Sequence, residues 1–274
     1  MTSNVFDIKR FGKYLQSEVR NCISNFGVTL IIFAAMPLIG YFFFGIFKLT
    51  FLGEWGSLGQ ESRLTIFALN LMAMAMFLPT VCYGKVTDKK IGTQFLMVPV
   101  SVLEKTLSMI LICCILIPVA VTAANVLLDF VICTLDKGCG AYLLDFSRYF
   151  EPIAAELNMM DFSEAVIAKN ALKLLHPALL IDDYIGVILL FLLGAIYFKK
   201  RKVTKTILCL IGISIVLSLI SAPLARNIID SWLATQDGLT WIINNGALID
   251  TINDTVVNLA LCTGIFFRVK TLKH

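Results

Sequence analysis

The sequence predicts an all-α, polytopic membrane protein with six transmembrane helices and both termini cytoplasmic. Three observations carry this. First, 58% of the 274 residues are hydrophobic and 15% charged, with mean hydropathy +0.84; soluble domains carry roughly 25% charged residues. Second, six stretches approach the about 20 mostly apolar residues that a helix needs to cross a bilayer. Third, 16 of the 23 lysines and arginines fall in four segments that alternate with those stretches. Positive charge marks the cytoplasmic side.

Residues 1–27 are expected to form an amphipathic interfacial helix. Ile8, Phe11, Leu15, Val19, Cys22 and Phe26 recur at steps of 3, 4, 4, 3 and 4, which is one helical face. Lys9, Lys13, Glu18 and Arg20 lie largely off it. A basic amphipathic helix before a span rests in the headgroup region. A sharper role is a lever between a cytosolic partner and the first span. The stretch does not resemble a cleaved signal peptide, because the preamble is long and no A-x-A site follows the span.

The rest of the chain, 28–274, reads as the six-span domain. Spans are expected at about 28–47, 64–83, 107–132, 180–198, 206–222 and 248–267, the fifth stopped by Pro223. The sixth is weak, since it holds Asp250, Asp254 and Asn258. The basic segments at both chain ends demand an even number of spans and so favour it. The external loop 134–178 should carry a helix from a capping box at Asp161–Glu164 to about Leu175, ended by His176-Pro177. Residues 223–247 hold Trp232 and Trp241, which suit interfacial or re-entrant helices.

The search for chemistry is largely negative. No Walker A or H-E-x-x-H pattern occurs, and there are two histidines. No catalytic, cofactor-binding or metal-binding residue is assigned. Most of the eight cysteines lie in apolar runs, where cysteine acts as a small hydrophobe. Cys133 and Cys139 flank the external end of the third span, where a disulfide is one option in an oxidising compartment. Ser214 in the fifth span reads as a packing residue. Asn70 and Asn125 are expected to hydrogen-bond between helices. Asp129, Asp182, Asp183, Asp250 and Asp254 are expected at solvated outer rims, since ion pathways place charges deeper.

The connector 91–105, IGTQFLMVPVSVLEK, is too apolar for a solvated loop and too interrupted for a span. Thr93 is expected to cap a short helix over 94–97, which Pro99 ends. Ser101 and Glu104 then form a capping box, opening a helix that runs into the third span. The exposed apolar side chains need burial against the spans or against another protein.

Three runs carry a resemblance. IGTQFLMVPVSVLEKTLSMIL (91–111) resembles the cytosolic connector of the type-two ATP-binding-cassette (ABC) transporter permease family, with its G-T and P-x-S-x-x-E-K elements. GAIYFKKRKVTKTIL (194–208) and the closing FFRVKTLKH (266–274) are similar to the Bacteroides-type permease-like branch of that family. The resemblance implies a non-enzymatic permease subunit of an exporter in a bacterial inner membrane. It also implies dimerisation with itself or a second permease, and ATP held by a separate ATPase subunit. Gly92, Thr93, Gln94, Phe95, Leu96 and Met97 would contact that ATPase, and Ser101, Glu104 and Lys105 would fix the start of the third span. In this chain the third connector is longer than the family's pattern. A channel or secondary transporter working without ATP, and a non-transporting membrane scaffold of the same fold, are the alternative readings.

Overall fold

The computed structural model describes residues 6–88, 92, 93, 95, 97–140, 142, 143, 177–228 and 236–272. All secondary structure among the described residues is helical. The elements are α1 (Ile8–Ala34), α2 (Met36–Leu52), α3 (Gln60–Tyr83), α4 (Val102–Leu135), α5 (Pro177–Tyr197), α6 (Lys202–Ile228) and α7 (Gln236–Thr271). Four helical stretches are long and apolar enough to cross a membrane: Gln60–Thr87, Val102–Leu135, Lys202–Ser221 and Thr251–Thr271. The bent pair α1–α2 makes a fifth if it is one span. This is the make-up of a multi-pass membrane protein.

The α1–α2 bend of 46° has a local cause. Pro37 has no N–H to give the carbonyl of Phe33, and its ring crowds that carbonyl. The helix breaks at Ala35. The freed Phe33 carbonyl accepts instead from Asn70 Nδ2 of α3 at 3.0 Å. In an apolar medium a released backbone group needs such a substitute. The helix begun at Ile8 therefore runs through residue 27 without interruption and turns seven residues inside the expected first span.

α4 carries a second proline irregularity. It is α-helical over Val102–Leu111, π-helical over Ile112–Leu116 and α-helical again over Ile117–Leu135. Pro118 follows directly and cannot bond to the Cys114 carbonyl. The π-turn, closed by the Ile117 N–H on the Ile112 carbonyl, sits just ahead of the missing bond.

α5 occupies the centre. Its Ile188, Leu189, Leu192 and Ile196 are fully buried against Ala75 and Tyr83 of α3, Met109 and Cys113 of α4, and Ile265 and Val269 of α7. Close approach is local to small residues: Gly186 of α5 faces Asn258, and Gly194 faces Thr206. α2 and α6 lie outside, with apolar side chains such as Phe43, Leu208, Leu217 and Leu219 exposed.

Two boundaries differ from the sequence reading. α6 continues through Pro223 to Ile228, because an internal proline removes one bond without necessarily ending a helix. α7 starts at Gln236, so position 241 lies within a long helix rather than in a separate interfacial one. The expected helix after Asp161, His176 and Trp232 lie outside the described residues.

Candidate functional site

The first turn of α4 gathers the chain's densest set of directed polar contacts among the described residues. Ser101 is extended, with φ −67° and ψ 155°, as an N-cap must be. Its hydroxyl accepts from the Glu104 N–H at 3.2 Å, and Glu104 Oε2 accepts from the Ser101 N–H at 2.8 Å. The same carboxylate reaches α1. Asp7 N–H donates to Glu104 Oε1 at 2.9 Å; Arg10 donates from Nη2 to Oε1 at 2.7 Å and from Nε to Oε2 at 3.0 Å. The carboxylate is 0% exposed. Fork-to-fork pairing fixes angle as well as distance, so Glu104 locks the start of α1 to the start of α4. Its hydrogen bonds hold the pKa of the Arg10 guanidinium above its ordinary value.

Lys105, one residue on, holds the connector. Its Nζ donates to the Phe95 carbonyl at 2.8 Å and lies 5.1 Å from the Phe95 ring centre. Phe95 is buried in the main core beside Val86, Val269 and Leu272. Successive helical residues point about 100° apart. One turn of α4 thus grips α1 with Glu104 and the connector with Lys105.

The proposed contact residues separate on this geometry. Gly92 and Phe95 are buried, Thr93 is half-buried, and Met97 is 80% exposed. Gln94 and Leu96 lie outside the described residues. Thr93 is itself helical. Asp88 is extended and its carbonyl accepts from the Gly92 N–H at 2.8 Å, so the turn starts upstream of Thr93. Between α1, the end of α3 and the connector lies a cavity of about 250 Å³, lined by Glu18, Cys22, Cys82, Lys85, Phe95 and Val98. The α5–α6 hairpin closes on the same end. Arg201 there takes φ 49°, and Lys202 donates to the Gly84 carbonyl and, at 2.6 Å, to the Thr87 hydroxyl.

The opposite end is knitted by a buried ion pair. Arg63 of α3 meets Asp129 of α4 at 2.6 Å and donates to the Cys139 carbonyl at 2.8 Å. Asp129 Oδ2 accepts from the Leu143 N–H at 2.9 Å. Asp129 is 2% exposed, so it is not a solvated rim group. Cys133 and Cys139 are free thiols buried beside this pair. Asp182 accepts from Asn258 Nδ2 at 2.8 Å, joining α5 to α7. The fully buried Asn125 side chain makes no hydrogen bond among the described residues, while the Asn70 amide donates to the Phe33 carbonyl.

In the sequence Arg10 and Lys202 read only as topology-setting charge, and Arg63 as one of the seven basic residues outside the four basic segments. A usable signal existed for Arg10. Positions 10, 14 and 18 recur at four-residue steps beside the apolar stripe, and all three are at least half-buried. No protein-family model, curated protein or solved structure matches the chain.

Proposed function

We propose that this chain is the membrane-spanning permease subunit of an ATP-driven exporter, working with a separate ATPase subunit that docks at the connector 91–105. In this reading it has six spans, α1–α2 counting as one and α5 as another, with both termini cytoplasmic in a bacterial inner membrane. It pairs with a second copy or a related permease. The observation that carries the proposal is the Glu104 junction. It makes the interfacial helix, the connector and the start of a long span one mechanical unit at the basic end.

Met97 supplies the exposed apolar contact, with Thr93 at its margin; Gln94 and Leu96 complete the docking segment. Phe95 and Lys105 pass displacement of the connector to α4, and Glu104 passes it to α1. Partner closure then shifts an inward–outward equilibrium, provided the partner binds the two states unequally. The chain itself binds no ATP in this scheme and carries out no chemistry.

The test is isolation of the full chain from its native host in mild detergent. An ATPase subunit should accompany it, and Met97→Glu should reduce its recovery while Glu104→Gln leaves recovery intact but lowers transport-linked ATP turnover. Absence of any ATPase, with function unchanged when 92–97 are replaced, overturns the reading. Ion flux in ATP-free liposomes would support the channel alternative.

A further inference from the structure

We infer that the groove between α5, α6 and α7 binds an acyl chain of an anionic phospholipid, whose phosphate sits on Arg268. This stands apart from the exporter reading and needs only that the chain lies in a membrane. The groove has a volume of about 570 Å³, within the roughly 300–1,000 Å³ of small-molecule sites. Its walls include Leu193, Leu210, Ile213 and Leu261, and its basic end is formed by Tyr197 and Arg268. Arg268 lies seven residues beyond Leu261 on α7, about 10 Å along the axis at helical rise. That span matches a chain segment lying below a headgroup.

Arg268 is what makes the groove selective. Its guanidinium stacks 5.2 Å from the Tyr197 ring centre, and its Nε is buried without a hydrogen-bond partner among the described residues. Among the described residues, none that lines the groove is acidic. Lys205 is exposed nearby over the Phe198 ring, and Lys270 is exposed beyond Arg268. Among the described residues no carboxylate pairs with this half-buried guanidinium, and an external anion can take that place on its open edge. Basic pockets between helices at the cytoplasmic face recognise anionic headgroups.

A second copy of the chain is the rival occupant, and charge disfavours it. The acids on the basic side are Asp7, Glu18, Asp88 and Glu104. Glu104 is consumed by Arg10, and none lies on α6 or on the exposed apolar face of α2. A second copy can cover the apolar walls, but those faces bring no anion to Arg268.

The test uses the purified full chain in neutral detergent. Equal amounts of phosphatidylglycerol and phosphatidylcholine are added, and bound lipid is counted by native mass spectrometry. Phosphatidylglycerol should be retained about fivefold over phosphatidylcholine, the factor expected of one basic side chain near an anionic headgroup. Arg268→Gln should abolish that preference, Arg268→Lys should keep most of it, and Lys270→Ala should leave it unchanged. Gly264→Leu, which fills the groove, should lower retention of both lipids. Size-exclusion profiles verify that each variant is folded, and Arg268→Lys with Gly264→Leu suffices if Arg268→Gln aggregates. Equal retention of the two lipids by the unmodified chain overturns the proposal. So does displacement of the lipid by millimolar inorganic phosphate. A Gly264→Leu variant that loses dimer while keeping its lipid count assigns the groove to a second copy and likewise overturns it.

Discussion

Asn70 shows how a single side chain reports on a backbone fault elsewhere. The sequence makes Asn70 an interhelical hydrogen bonder, but the partner is a carbonyl that exists as an acceptor only because Pro37 released it. Asn70→Leu should therefore cost about 1 kcal/mol in the native background. In a Pro37→Ala background the cost should shrink, because residue 37 then donates to Phe33 itself. Thermal unfolding in detergent of the four proteins of this double-mutant cycle gives the coupling directly; equal costs in both backgrounds would refute the assignment. Arg63 and Asp129 offer a contrasting case. Both are buried, so removing one leaves an uncompensated charge. Asp129→Leu or Arg63→Met alone should cost about 3–5 kcal/mol, while the double replacement should recover most of it. Neither residue was legible in the sequence as part of a pair. They are 66 positions apart, and charge at the edge of an apolar run reads equally as a wet rim. Only the packing of α3 on α4 distinguishes the two.

At the level of elements, the cap at Ser101 is legible and its long-range partners are not. The Ser101-x-x-Glu104 spacing is a local rule about one helix turn, and local rules can be read without neighbours. Ser101→Ala should destabilise the start of α4 by about 1 kcal/mol. Hydrogen exchange should speed up at Glu104 and adjacent amides and stay unchanged at Ile188–Leu192 in α5. Exchange rising equally at both places would mean that the cap supports the whole bundle. What no local rule reveals is that the Glu104 carboxylate also receives Asp7 and Arg10. The helix ends were misjudged for a related reason. In the sequence Pro223 reads as a stop and Pro37 as an ordinary span residue, yet α6 runs through the first and α1 bends near the second. A proline always removes one bond; whether the helix ends, bends or inserts a π-turn depends on what else reaches the freed carbonyl. For the candidate contact segment the sequence showed an apolar excess but not its sides. Phe95 is buried, with its carbonyl held by Lys105, and Met97 is left outside.

On the scale of the whole molecule, the two ends of the bundle differ in charge and in the contacts that close them. One end joins Arg10 to Glu104, Lys105 to Phe95, and Lys202 to Gly84 and Thr87. It also carries Lys85, Lys199, Lys200, Arg268 and Lys270. The other end joins Tyr41 to Asp136 at 2.7 Å, Ser57 to the Gly138 carbonyl at 2.9 Å, and Arg63 to Asp129. Fifteen of the 19 acids lie outside the four basic segments. Lysine and arginine bias sets orientation through short loops, and here the short loops after α3 and α5 are the basic ones. The basic end should therefore face the cytoplasm. An epitope placed after His274 should stay hidden from antibody in intact spheroplasts and become accessible on permeabilisation. An epitope between Gly53 and Glu54 should be accessible in both. If both epitopes are accessible from outside, the number of crossings between them is even rather than odd. α3 to α7 could then not be five single crossings, and the cytoplasmic placement of the C-terminus would fall, while the connector, one crossing beyond Gly53, would keep its own. Replacing Lys199, Lys200 and Arg201 by serine tests the cause. It should increase the fraction of molecules with an externally accessible C-terminus, while serine at Lys48, within α2 toward the other end, should not.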